Sequence, residues 1–231
     1  MERLNIFIDA GNFYHIALKK VGVQELGFDF EKFVRFLANG RIIADMGKRF
    51  YVGTVREKEG DIKSKEAMSR QTTLFAELTK LHWQIKTSKL KRRLEELVID
   101  SRVVDYEKFQ KVGIEKVQFE RLREKGIDVK LATDLIVGAV DNQYDTAIII
   151  SSDSDLLPAI DWVRRRYKGK KKIEYIGFSI PDEYNLKNST EPSLSLIAKT
   201  DIQRILVKSD LEKFIKPSLF NKKTIVNSEA G

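Results

Sequence analysis

TAIIISSDSD, residues 146–155, decides the fold. Thr146 to Ser151 reads as a strand, apolar without alternation, the mark of burial on both faces in a parallel sheet. LLPAI follows at once, and Pro158 sits where a first helical turn tolerates proline, so a helix is expected over Leu156 to Arg166. Asp153 and Asp155 thus stand at the mouth of this strand, with Ser151 and Ser154 beside them. Parallel α/β sheets open their functional crevice at such carboxyl ends.

A second run has the same form. LNIFID, residues 4–9, reads as a buried strand closed by Asp9, and Gly11 and Asn12 then open a helix over Asn12 to Val21. Between these runs lies KGIDVKLATDLIVGAVD, residues 125–141. It reads as a helix from Val129 to Val140 whose apolar face carries Leu131, Leu135, Ile136 and Val140. Asp134 lies amid those apolar neighbours, where a carboxylate needs a partner. Asp128 either caps the helix or joins the site from its start.

Strand and helix signals alternate along the rest of the chain. Phe30 to Ala38 is a helix with Asp29 as N-cap, Arg49 to Val55 a strand, and residues 56–64 a polar loop. Lys65 to Leu81 is an amphipathic helix and Trp83 to Thr87 a short strand. Residues 90–125 are charged and read as a mostly helical insertion. Lys172 to Gly177 is a further strand, followed by helices near Ser193 to Lys199 and Ser209 to Ile215. A loose tail is expected from Pro217. The alternation predicts a three-layer α/β/α sandwich with a mainly parallel central sheet. One domain is expected over residues 1–180, with a helical extension and tail over 181–231.

Composition narrows the chemistry. The hydrophobic share of 42% supports a substantial core, and no apolar run approaches a membrane span. The opening MERLNIFID lacks the apolar stretch and cleavage site of a signal peptide, which sets the expectation of a cytoplasmic protein. There is no cysteine, and His15 and His82 are the only histidines, so any metal must be held by oxygen ligands. That favours Mg²⁺ or Mn²⁺, as one ion or two. A formal charge of +8 is concentrated in KTSKLKRR, residues 86–93, and RRRYKGKKK, residues 164–172. Such clusters attract polyanions by counterion release, chiefly nucleic acid, although a solvated charged surface has the same composition. The sequence leaves the oligomeric state open.

Clustered aspartates need cations or raised pKa values. Asp9, Asp134, Asp153 and Asp155 are the candidate catalytic and metal-binding residues. Asn12 is placed to bond a metal-bound water or a phosphate, or to cap its helix. Ser151 and Ser154 can orient the acids or hold a phosphate oxygen. Lys130 stands one turn before Asp134, as its ion-pair partner or a phosphate contact. Arg164 and Arg165 are candidate backbone contacts, and Tyr14, Trp83 and Tyr167 candidate stacking platforms for unpaired bases.

FIDAGNFY, IDVKLATDLI and IIISSDSDLLP, in this order and spacing, resemble the three signature blocks of NYN domains, the PIN-like nucleases of the LabA/DUF88 group. The resemblance spans Leu4 to Phe178. It implies a PIN-like sandwich, metal-dependent cleavage of RNA, and acidic positions at Asp9, Asp134, Asp153 and Asp155. Asn12 matches the asparagine of the family's first block, and Asp128 and Lys130 are implied as supporting residues. Ser152 departs from the pattern, standing where such proteins usually carry glycine.

The reading is therefore a metal-dependent ribonuclease acting on single-stranded RNA. Two alternatives stay open: an RNA-binding regulatory module of the same fold with weak or no catalysis, and a metal-dependent phosphatase or phospho-acceptor domain. The last needs a lysine after a late strand, whereas Lys170 to Lys172 precede theirs.

Overall fold

The two apolar runs pair side by side at the centre of a six-stranded sheet. The structure, a computed structural model, describes residues 1–217 apart from 56, 58, 59, 90, 124, 125, 183 and 184. Its strands are β1 (Arg3–Asp9), β2 (Ile42–Thr54), β3 (Gln84–Lys89), β4 (Lys91–Val98), β5 (Lys116–Arg123), β6 (Thr146–Ile150), β7 (Lys172–Ser179) and β8 (Ile202–Val207). The helices are α1 (Ala10–Ile16), α2 (Phe30–Ala38), α3 (Ile62–Lys80), α4 (Tyr106–Lys111), α5 (Ile127–Val140), α6 (Leu157–Tyr167), α7 (Leu194–Lys199) and α8 (Lys208–Glu212).

The sheet order is β3-β2-β1-β6-β7-β8, and every neighbouring pair is parallel. The chain builds outward from β1 in one direction, then returns to β6 and builds outward in the other. The switch point of the sheet therefore lies between β1 and β6, where α/β folds place their ligands.

Side-chain alternation divides the core into two layers. Leu4, Ile6 and Ile8 of β1 and Ile148 and Ile150 of β6 pack beneath α1, α2 and α3 with Phe13, Phe33 and Leu78. Phe7 of β1 and Ala147 and Ile149 of β6 pack on the other face, beneath α5 and α6, with Leu131, Leu135 and Ile160. Four fully buried apolar side chains on each central strand, the large ones at about 1.5–3 kcal/mol each, make this pair the anchor of the fold. This is the three-layer α/β/α sandwich the alternation predicts.

Three elements differ from the sequence reading. The insertion over 90–125 is not mostly helical: β4 and β5 form an antiparallel ribbon joined through the short α4. Leu94, Leu97 and Val98 have helical spacing, but they pair across the ribbon with Glu120, Val117 and Lys116. All three stay 45–68% exposed, so no buried face imposes a strand period of two on the sequence. The C-terminal extension is not only helical either, because β8 adds to the sheet beside β7 between α7 and α8. Finally, α1 stops at Ile16 and a 3₁₀ turn over Leu18–Val21 completes the expected helix. The expected tail beyond Pro217 lies outside the described residues.

Candidate active site

The register of β1 against β6 pairs Ile8 with Ile150, which sets Asp9 beside Ser151 at the switch point. Phe7 and Ile149 face α5 and α6, so Asp9 and Ser151, two residues on, turn to that same face. Asp9 is 7% exposed and Ser151 is fully buried. The Asp9 carboxylate is fixed from two sides. Its Oδ1 accepts from the Asn12 amide at 3.0 Å, which makes Asp9 the N-cap of α1. Its Oδ2 accepts from Ser151 Oγ at 3.2 Å.

Asn12 is freed from the capping role by Asp9 and instead ties the two strand ends together. Its Oδ1 accepts from the Ser152 amide at 2.9 Å and from Ser152 Oγ at 3.2 Å. Serine at the position usually held by glycine is thus accommodated, since its φ lies outside the left-handed region and its hydroxyl adds a bond. Ser151 Oγ in turn accepts from the Asp153 amide at 3.2 Å. Asp153 Oδ1 accepts from the Asp155 amide at 2.8 Å and caps the 3₁₀ turn Ser154–Leu156. Asp153 is half-buried, while Ser154 and Asp155 are exposed at the rim.

Asp128 joins this cluster from the first turn of α5. Gly126, with φ of 89°, occupies the cap position of that helix, and the Asp128 side chain does not cap it. Burial pushes the Asp128 carboxyl above its ordinary range, and the charges of Asp153 and then Asp155 push it the same way. The structure therefore brings Asp128 within the field of Asp153 and Asp155.

Asp134, two turns further along α5, has a different environment. Its Oδ2 accepts from Tyr51 Oη at 2.8 Å, with Lys86 Nζ at 3.6 Å and Arg49 Nη1 at 3.9 Å. Burial and then the Asp134 carboxylate hold the Tyr51 phenol protonated far above its ordinary range. Tyr51 is the β2 register partner of Asp9, so this second group stands over the same end of the sheet. Lys130 does not pair with Asp134; it donates to the Thr87 carbonyl and ties α5 to β3. Lys86 takes the role expected of Lys130. Tyr51 and Arg49 were missed because the sequence shows them only as members of a strand; alternation within RFYVGTV, which turns both to one face, is the one available signal.

The two basic clusters part company. Lys86 lies on β3 at the carboxyl edge, the edge of Asp9 and Asp153. Arg164 and Arg165 lie near the far end of α6, about 10 Å along the helix from its start at about 1.5 Å per residue. Arg164 donates to Asp201 at 2.8 Å and to the Lys199 carbonyl at 2.9 Å, and Arg165 pairs with Asp161 at 3.3 Å. Neither reaches the aspartates. Among the expected stacking residues, Trp83 is 5% exposed and donates from Nε1 to Glu31, and Tyr167 packs against Trp162. Tyr14 is half-buried and accepts from Gln24 at 3.0 Å.

The donor chemistry at the switch point fits a hard divalent cation. All the donors are oxygens, and the charges of Asp153 and Asp155 add to the burial that raises the Asp128 carboxyl, a repulsion that a cation would relieve. As the side chains stand, no three Asp, Glu or His side chains among the described residues converge closely enough to enclose an ion.

No curated protein matches the chain. A solved structure of a protein of unknown function from Vibrio parahaemolyticus is similar, with a TM-score of 0.49 and 16% identity, over 89% of this chain and 93% of that one. The NYN domain matches over residues 3–196, a span that contains the Asp9 block, α5 and the Asp153 block. On that match the chain belongs to the NYN domain family, a family of PIN-like nucleases.

Proposed function

We propose that the chain hydrolyses RNA phosphodiester bonds with Mg²⁺ or Mn²⁺ held at the β1–β6 switch point. The observation that carries the reading is Ser151 Oγ, which donates to the buried Asp9 carboxylate and accepts from the Asp153 amide, both at 3.2 Å, so that two strand-end acids meet on one hydroxyl at the switch point. Folding has brought like charges together at the ligand-binding edge of the sheet, at a cost that a cation offsets.

Asp9, Asp153 and Asp128 are the residues that would hold the ion, with Asp155 at the rim as a further oxygen donor. When bound, such an ion activates water and balances charge developing on the transferring phosphoryl group. The chain's own residues do the rest. Ser151 fixes the rotamer of Asp9, and Asn12 ties the Asp9 side chain to the Ser152 backbone. Fixing the donors beforehand removes reorganisation from the reaction. Asp134 and Tyr51 hold Lys86 at the edge, where its ammonium can meet a phosphate oxygen without reading sequence. Water adds to phosphorus as the P–O3′ bond breaks, leaving a 5′-phosphate and a 3′-hydroxyl.

The test incubates single-stranded RNA and DNA of one sequence with Mg²⁺, Mn²⁺ or EDTA. RNA cut by either cation, spared by EDTA and ending in 5′-phosphate supports the proposal. A second reading, an RNA-binding module without turnover, is favoured because no three Asp, Glu or His side chains among the described residues converge on one point. Its signature is RNA binding that survives Asp→Asn changes, with no cleavage under any cation.

A further inference from the structure

The β4–β5 ribbon places like charges directly opposite one another at its base. Arg93 is the register partner of Arg121 in the antiparallel ladder, and both positions fall on one face. Directly opposed like charges destabilise a ribbon, yet the rest of this one is built with compensating contacts. Gln118 donates to Glu96 at 2.8 Å and Lys116 pairs with Glu96 at 3.2 Å. The two strands carry six basic and three acidic residues, and Glu95 is the one acid on the basic face. It pairs with Arg121 at 3.6 Å, where Arg121 stays 59% exposed.

Connectivity fixes where this base sits. β4 follows β3, whose carboxyl end lies at the edge of Asp9, and β5 leads into α5, whose first turn carries Asp128. Both strands of the ribbon therefore spring from the acidic edge. Outward from this basic pair the same face carries Phe119, 40% exposed, opposite Glu95, and then Val117 opposite Leu97. Successive pairs on one face are spaced by about 6.6 Å, two residues of strand rise, close to the phosphate repeat of an extended nucleic-acid strand. Cations beside an exposed ring form the pattern of a single-strand platform, in which phosphates meet the charges and a base stacks on the ring.

We infer that this face of the ribbon is a docking arm for single-stranded RNA, guiding the strand from Phe119 past Arg93 and Arg121 to the acidic edge. The inference rests on RNA being the substrate, but it concerns binding and is tested without catalysis. An unstructured, fluorescently labelled oligoribonucleotide is titrated with the full chain in EDTA at several salt concentrations. Arg93→Glu with Arg121→Glu should weaken binding at least ~10-fold. It should also flatten the salt dependence by about 1.4, two phosphate contacts at about 0.7 each. Arg93→Gln with Arg121→Gln should move both quantities the same way, and its melting temperature reports that the fold is kept. The paired lysine substitutions should retain binding. Affinity and salt slope unchanged in both the glutamate and glutamine pairs would overturn the arm. If the wild type binds RNA through these arginines but cuts nothing under any cation, the arm stands and the nuclease reading falls. If it cuts RNA and the paired variants bind as tightly as wild type, the arm alone falls.

Discussion

Ser151 Oγ donates to Asp9 Oδ2 across 3.2 Å, joining the ends of β1 and β6 through buried side chains. The same hydroxyl oxygen accepts from the Asp153 amide, so one serine sets the relative placement of both strand-end acids. Ser151→Ala is expected to cost about 1 kcal/mol of stability through the lost bonds. It should cut RNA cleavage by about 10-fold, as loss of a group that orients a metal-binding carboxylate does. Asp9→Asn should cost at least ~100-fold, as loss of a charged group from the reacting centre does. Rates measured at saturating Mn²⁺ check the order; equal losses would mean that Ser151 does more than position.

Asp128 gives a pH dependence with a definite sign. Its folded pKa is raised, so its contribution to stability is present with the carboxyl protonated and is lost as pH rises through the carboxylate range. Asp128→Asn should therefore raise the melting temperature at neutral pH and leave it unchanged in acid below the ordinary carboxylate pKa. Added Mg²⁺ or Mn²⁺ should stabilise the wild type more than this variant. Thermal melts at two pH values, with and without the cation, measure both effects.

Tyr51 and Asp134 form a charge-assisted bond beneath Lys86 and Arg49. Tyr51→Phe keeps the ring that stacks on Phe7 and removes only the hydroxyl. It should lower the unfolding free energy by about 1.5–3 kcal/mol, the worth of a hydrogen bond to a charged group. A urea titration at neutral pH reads the difference.

Arg164 separates the two edges of the sheet. Its guanidinium is committed to Asp201 and the Lys199 carbonyl near the end of α6 remote from the aspartates. Arg164→Ala should leave RNA affinity and cleavage within about two-fold of wild type while costing at most ~1 kcal/mol, as exposed ion pairs do. Lys86→Ala, at the acidic edge, should weaken RNA binding.

Gly47 is required by close approach rather than by its φ. A Cβ there would stand 2.8 Å from the carbonyl oxygens of Leu4 and Ala44 and from Asn5 Oδ1. The register of β1 against β2 shifts at this point, between Leu4 and Ile6. Backbone cannot give way cheaply, so Gly47→Ala should cost about 1–3 kcal/mol, measurable by chemical denaturation.

The central strands were legible because Leu4–Ile8 and Ala147–Ile150 are buried on both faces, and that burial writes an apolar run broken only by Asn5. The ribbon was not legible as strand, because both of its faces meet solvent and its charges can satisfy helical spacing equally well. β8 was missed for a related reason: IQRILV is short, half-exposed and sits directly between two helices. At the site, Asp9 and Asp153 declared themselves by ending buried strands. The partition of Asp128 and Asp134 did not, since both lie on one helix. Only the packing of α5 against β2 and α6 decides which meets the acids and which meets Tyr51, Arg49 and Lys86. Arg164 and Arg165 were grouped with the site by charge alone, which carries no information about which edge of a sheet a residue reaches.

The most direct test compares wild type with Asp153→Asn on end-labelled single-stranded RNA in Mn²⁺, alongside wild type in EDTA. The account predicts cleavage by the wild type with cation, none in EDTA, and at least ~100-fold slower cleavage by Asp153→Asn with its melting temperature retained. Cleavage that persists at the wild-type rate in Asp153→Asn, or that ignores EDTA, would contradict it.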